Sequence, residues 1–342
     1  FQLQYRIDGM MQPQPVQAEM LRLHEAIVSR LKIMSSLNIA EKRLPQDGKL
    51  TISTEQDDVD VRVSVIPMIF GESVVLRLLA RKAMTWSLES LQLPESTHFA
   101  LKSGIESPHG LILVTGPTGS GKTTTLYHCL GELKERRRHQ KIVTIEDPVE
   151  YTLPGVHHIQ VNDATGLSFS RALRSVLRHD PDVILIGEIR DPETACVVVQ
   201  ASLTGHAVLA TLHTNDSASA FARLVDMGIE PYLVASTVRS VVAQRLVRRI
   251  CECCDTQSGY EQYSQPTHGC KKCMSSGYYG RLAILEVMAV DDEIRSMCTR
   301  AAPSTEIADY AKRRGDLTMK AFGEQLVSAG KTTREELLRV LD

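Results

Sequence analysis

Apolar side chains recur at Val16, Met20, Leu23, Ile27, Leu31 and Met34, spaced by three and four, which predicts a helix with one buried face. Past the turn-forming Pro45-Gln46-Asp47-Gly48 the period changes to two. Val59, Val61, Val63 and Val65 alternate with Asp60, Arg62 and Ser64, as in a strand with one wet face. Gly71-Glu72 then turns the chain into Ser73 to Leu79, its expected hairpin partner. Residues 1–80 therefore read as a small α+β domain, and residues 81–100, without a clear period, as a linker. Between 101 and 250 the runs Leu111 to Val114, Lys141 to Ile145, Asp182 to Ile186 and Ala207 to Leu212 are apolar on both faces and separated by helical segments. That texture predicts an α/β unit whose mostly parallel sheet is covered on both sides. A cysteine-rich stretch fills 251–280. Residues 281–342 read as helical, with Thr332 and Thr333 placed to cap a last helix opening on Glu335-Glu336.

Immediately after the strand Leu111 to Val114, residues Gly116, Pro117, Thr118, Gly119, Ser120, Gly121, Lys122 and Thr123 fit G-x-x-x-x-G-K-[ST], and a helical run follows with Thr124. Glycines there let backbone N–H groups turn inward around phosphate oxygens, and the helix N-terminus adds its positive dipole end. Lys122 is expected to reach the β- and γ-phosphates and the Thr123 hydroxyl to hold Mg²⁺. The run Asp182 to Glu188 resembles the second nucleotide motif, an apolar strand delivering a carboxylate. Gly187 occupies the usual aspartate position, so that role falls to Glu188. Glu146, Asp147 and Glu150 follow another strand. They form either a cluster able to polarise water or position a metal, or a surface turn around Pro148. His206 and His213 bracket the strand Ala207 to Leu212, either as γ-phosphate sensors or as packing and surface residues. Arg62 and Arg77 are either arginines donated to a transferring phosphoryl group or solvated residues of a wet sheet face.

Five of the eight cysteines crowd into one stretch, which favours a metal site in a reducing compartment over a disulfide framework. Cys251-x-x-Cys254 and Cys270-x-x-Cys273 match a two-knuckle zinc arrangement with no open position, hence structural; Cys253 competes with Cys254 as ligand.

Length and charge narrow the field further. A chain of 342 residues is long enough for about two domains. Its 43% apolar and 23% charged content excludes long disorder. With 39 basic against 41 acidic residues, the formal charge of -2 does not suit a protein wrapped around a polyanion. Basic runs at Arg136 to Arg138 and at Arg245, Arg248 and Arg249 are not interleaved with aromatics, so a nucleic-acid partner is not expected. No apolar run approaches the ~18 residues of a membrane span and no leader opens the chain, which reads as cytoplasmic. Beginning at Phe1, it reads as a fragment whose natural start lies upstream. No Asn-Lys-x-Asp pattern is present, which leaves ATP as the expected nucleotide.

Gly116 to Thr123, Glu146 to Glu150, Gly187 to Asp191, Thr204 to His206 and Thr211 to Asn215 stand in the order of the Walker A, aspartate, Walker B and histidine boxes of the ATPases of type II secretion and type IV pilus assembly, and the chain resembles that family. Arg43 to Gly48 and the strands bearing Arg62 and Arg77 resemble its second N-terminal domain, which is PAS-like. The cysteine stretch resembles the metal module of the secretion and pilus-extension branches, which retraction motors lack. The resemblance implies a RecA-like core using ATP, Mg²⁺ and Zn²⁺. It assigns Glu150 and Glu188 to the attacking water with Glu146 and Asp147 in support, His206 and His213 to phosphate sensing, and Arg62 and Arg77 to the inter-domain arginines. It further implies a homohexamer at the inner face of the bacterial inner membrane, acting on a membrane platform protein and on cytoplasmic docking proteins. Lys122 to Thr125 and Val199 to Thr204 look more like the type II secretion branch than the pilus branch. Two departures are the short metal stretch with its extra Cys253 and a membrane-docking domain that would lie upstream of Phe1. The rival classes are a RecA-like nucleic-acid motor and a scaffold that binds ATP and zinc without hydrolysis.

Overall fold

The computed structural model describes residues 1–54, 58–80, 86–255 and 269–341. The chain divides into two compact units, Phe1–Met84 and Thr85–Asp342.

In the first unit a hairpin, β1 (Leu3–Ile7) and β2 (Met10–Gln14), precedes helices α1 (Ala18–Arg22) and α2 (His24–Met34) and an antiparallel sheet of β3 (Gln46–Ser53), β4 (Asp58–Met68) and β5 (Gly71–Ala80). The alternation along β4 buries Val61, Val63 and Val65 together with Leu50, and Leu31 and Leu37 pack against them. Two expectations change here. The single helix is interrupted at Leu23, and Leu23 and Met34 face solvent, so only the α2 stretch near Leu31 covers the sheet. Pro45 to Gly48 is not a turn, because β3 already starts at Gln46. Gly48 is needed for close approach, since a Cβ there would lie 2.6 Å from the Ser35 carbonyl oxygen.

The second unit opens on residues 86–94, which pack despite lacking a period. Leu88 is wholly buried, and the Trp86 ring lies 5.0–5.2 Å from those of Tyr127, His128 and Tyr151. There follow α3 (Glu95–Glu106), β6 (Gly110–Thr115), α4 (Lys122–Arg136), β7 (Ile142–Glu146), β8 (His157–Gln160), α5 (Phe169–Val176), β9 (Val183–Ile186), α6 (Pro192–Leu203), β10 (Ala207–Leu212), α7 (Ser219–Asp226), α8 (Pro231–Thr237), β11 (Val238–Ile250), α9 (Glu252–Asp255), β12 (Tyr278–Ala289), α10 (Asp292–Thr299), α11 (Ser304–Arg314), α12 (Met319–Ser328) and α13 (Arg334–Leu341). Seven strands form one sheet in the order β12-β11-β6-β10-β9-β7-β8, parallel except for the edge strand β12. Every residue of β6, β9 and β10 is buried, as expected of parallel strands sandwiched between helices. The core lies in two layers, one on each sheet face. Residues 281–289, expected to be helical, belong to β12, and the helical part begins at α10. Thr333 caps α13 as expected, accepting from the Glu336 N–H at 3.2 Å, while Thr332 donates to the Arg248 carbonyl.

Parallel strands joined by helices leave their C-terminal ends along one sheet edge, and the loops after β6, β7, β9 and β10 therefore converge there. No helix among the described residues is long and apolar enough to cross a membrane.

Candidate functional site

The loop between β6 and α4 wraps inward on glycine. Gly116 has φ of 147°, and a Cβ on it would meet the Gln244 carbonyl oxygen at 2.5 Å and Ser120 Oγ at 2.7 Å. Gln244, from β11, holds the loop by donating Nε2 to the Ser120 carbonyl at 2.7 Å, while its Oε1 accepts from Thr125 Oγ1 at 2.7 Å. Lys122, the first residue of α4, is buried and donates Nζ to the carbonyls of Gly116 and Pro117 at 2.8 and 3.1 Å. The ammonium thus lies across the loop. Burial lowers its pKa, which Glu188 opposes and Arg245 reinforces. A positive group desolvated at a helix N-terminus is what a polyphosphate would neutralise. Thr123 and Thr124 are half-buried at the same helix end.

Glu188 follows β9, and Thr211 Oγ1 of β10 ties down the preceding Gly187 carbonyl at 2.5 Å. Arg190 Nη2 lies 2.5 Å from one carboxylate oxygen of Glu188 and His213 Nε2 3.6 Å from the other. Partial burial pushes the Glu188 carboxyl up, but Arg190 and then His213 outweigh it and hold the group below the usual carboxylate range. Arg190 also reaches Asp147 at 3.5 Å. Thr214, next to His213, is bound through its N–H, carbonyl and hydroxyl to Thr115 Oγ1 at the end of β6. Lys122, Glu188, Asp147 and His213 are thereby gathered at one edge. Glu150 is half-buried at the end of the loop that Asp147 begins.

Four further candidates lie on other elements. His206 stands at the far edge of the sheet. Its Nδ1 is 2.9 Å from the Ala201 carbonyl, and its own carbonyl accepts from Gly110 N at the start of β6. Six residues of β10 put roughly 20 Å between it and His213, so the pair cannot sense one phosphate within this chain. Glu146 is buried beneath the edge, with Tyr127, Thr144 and His158 on its carboxylate. Arg62 and Arg77 lie in the first unit, directly opposite each other on β4 and β5.

Gln244, Tyr127, Arg190 and Arg245 join the site without having been singled out for it. Gln244 had a visible signal, a polar residue directly after the apolar Val241-Val242-Ala243; Arg190 lay within the Gly187 to Asp191 box and Arg245 in a basic run, while Tyr127 had none.

A second cluster follows β11. The Sγ atoms of Cys251, Cys254, Cys270 and Cys273 lie within 4.8 Å of one another, with Cys251–Cys270 at 3.8 Å and Cys254–Cys273 at 3.7 Å. Four thiolates about 2.3 Å from a tetrahedral zinc have Sγ–Sγ edges of about 3.8 Å, so the set fits that ion. Cys273 Sγ also accepts from the N–H groups of Cys270 and Gly277 at 3.1 and 3.3 Å. Cys253 is exposed and outside the group. Residues 256–268 of this stretch lie outside the described residues.

Comparison with known proteins follows the same lines. Residues 1–339 match the family described as Type II/IV secretion system protein. The type II secretion system protein HxcR of Pseudomonas aeruginosa is 49% identical over 338 residues, covering 99% of this chain and 71% of that protein. The type IV pilus assembly ATPase PilB of Thermus thermophilus is 42% identical over 355 residues, covering 98% of this chain and 39% of that protein. Among solved structures, the pilus retraction motor PilT with bound ADP is similar with a TM-score of 0.66 at 25% identity, covering 98% of this chain and 89% of that one.

Proposed function

Since the chain belongs to the Type II/IV secretion system protein family and is an ATPase of that family, we propose that it hydrolyses ATP at the edge described above to drive type II protein secretion. The observation that carries this reading is the meeting of a buried Lys122 on a glycine-built cradle with Glu188 and His213 from the two neighbouring strand ends.

In this reading the N–H groups from Gly116 to Gly121 and the ammonium of Lys122 bind the phosphates, with Pro117, Thr118, Gly119, Ser120 and Thr124 completing the loop. Thr123 would hold Mg²⁺, which neutralises the phosphate oxygens when bound. Glu150 and Glu188 orient and deprotonate the attacking water, Asp147 supports them, and His213 senses the terminal phosphate. Arg62 and Arg77 are proposed to stabilise the charge of the transferred phosphoryl. The four cysteines are proposed to hold one structural zinc ion, supported by edge lengths that suit it. We also propose a PAS-like first unit, a RecA-like core, a homohexameric assembly and action at the inner face of the inner membrane through platform and docking proteins. Type IV pilus extension is the second reading, favoured by the similarity to PilB.

Glu188→Gln tests the first reading. It should keep nucleotide binding and abolish phosphate release, and an unchanged rate would remove Glu188 from the chemistry. Lys122→Ala should remove productive ATP binding, measured by calorimetry. Turnover stimulated by nucleic acid with a steep salt dependence would instead favour the nucleic-acid motor.

A further inference from the structure

Glu146, at the end of β7, is a wholly buried carboxylate on which three side-chain donors converge. Tyr127 Oη lies 2.8 and 2.9 Å from its two oxygens, Thr144 Oγ1 donates at 2.6 Å, and His158 Nδ1 is 3.3 Å away. The imidazole is oriented by the backbone. Its Nε2 accepts from the Leu153 N–H at 3.0 Å, so in the neutral ring the proton sits on Nδ1, with Thr144 Oγ1 at 2.8 Å and the carboxylate at 3.3 Å. The Tyr127 hydroxyl is also 2.8 Å from the Tyr151 carbonyl oxygen. Glu146 and Tyr151 are the residues immediately before and after Asp147 to Glu150. A single hydroxyl therefore reaches both ends of the acidic loop, from a residue one and a half turns into the helix that Lys122 begins. The ring carrying it is fixed by neighbours on three sides, Trp86 at 5.2 Å, Tyr151 at 5.6 Å and His158 at 6.3 Å between centroids. Burial, with Glu146 beside it, pushes the phenol pKa strongly up, so the group stays a donor throughout the neutral range.

We infer that Tyr127 is a positioning residue for hydrolysis: its hydroxyl clasps the Asp147–Glu150 loop to α4 and so sets Glu150 relative to the phosphate cradle. Thr144 and His158 hold the carboxylate half of that clasp. The inference rests on the assignment of Glu150 to the attacking water. The clasp itself has a readout that does not depend on that assignment.

The test compares the full chain with Tyr127→Phe, which keeps the packed ring and deletes only the hydroxyl. Amide hydrogen exchange across residues 146–153 is measured with a non-hydrolysable ATP analogue bound, and ATP turnover is measured in parallel. The variant should exchange faster in that segment and lose about tenfold in kcat, with the analogue's Kd changed less than about twofold. The loss should largely vanish in a Glu150→Gln background, because the clasp acts only through that carboxylate. Unchanged exchange in 146–153 overturns the inference. So does a kcat loss that simply multiplies with that of Glu150→Gln, or a loss confined to KM. If Glu150→Gln alone leaves turnover intact while Tyr127→Phe still speeds exchange, the water assignment fails, and with it the catalytic consequence, whereas the clasp stands as a structural tie. Should Tyr127→Phe not fold, Thr144→Val removes another donor from the same carboxylate and carries the same expected pattern.

Discussion

At the scale of residues, Glu188 has both oxygens engaged, by Arg190 on one side and His213 on the other. A carboxylate so occupied is a poor acceptor of a water proton, and a terminal phosphate offers both partners another anion. Because Arg190 contributes to holding the Glu188 carboxyl low, Arg190→Ala should let it rise toward its ordinary value. A base must be ionised to act, so the acid limb of the kcat/KM profile should move to higher pH in that variant. A limb that stays in place would mean that Glu188 is not the titrating group.

At the scale of elements, α13 is joined to β11 through Glu336. This buried carboxylate accepts from Arg248 Nε and Nη2 at 3.0 and 2.7 Å and is also bound by Arg339. The Arg248 guanidinium in turn lies 4.1 Å from the centre of the Tyr278 ring on β12. Glu336→Gln should cost roughly 2–4 kcal/mol in urea unfolding at neutral pH, because it leaves the partly buried Arg248 uncompensated. Burial pushes the Glu336 carboxyl up, yet Arg339 and Arg248 prevail and hold it low. A depressed folded pKa means that this stabilisation is complete above the ordinary carboxylate range and disappears as pH falls through the lower folded value. The difference between wild type and variant should therefore shrink in acid.

The elements legible in advance were those with a local signature, namely the four apolar runs of the sheet, the valine alternation of β4 and the glycine loop before α4. β8 and β12 were not, because four residues of β8 carry little period and β12 owes its state to an antiparallel partner nearly thirty residues earlier. The same limit applies to the site. Lys122 and the cysteines announce themselves by spacing, whereas Tyr127 acquires its partners only when α4 is laid against β7. His206 and His213 stand at opposite ends of β10, as their bracketing of that apolar run implies.

For the molecule as a whole, the family reading expects an assembly larger than one chain. Sedimentation with a non-hydrolysable ATP analogue should show a shift toward a hexamer, and a persistent monomer at high protein concentration would count against that assembly for this stretch of chain. Elemental analysis of freshly reduced protein should find about one zinc per chain, and stripping it should lower the unfolding midpoint. No zinc in that sample would remove the structural-metal proposal.

β11 gives the two proposed ligand sites a common mount. Gln244 props the cradle at one point of the strand, and Cys251, one residue beyond its end, carries a sulfur of the cysteine cluster. Seven residues of extended backbone make a strut of roughly 24 Å between them. Slack introduced at the sulfur end would loosen the prop at the other, so chelation should weaken nucleotide uptake without touching a single phosphate contact. Metal supply would then act on this ATPase as a tuning peg acts on a string.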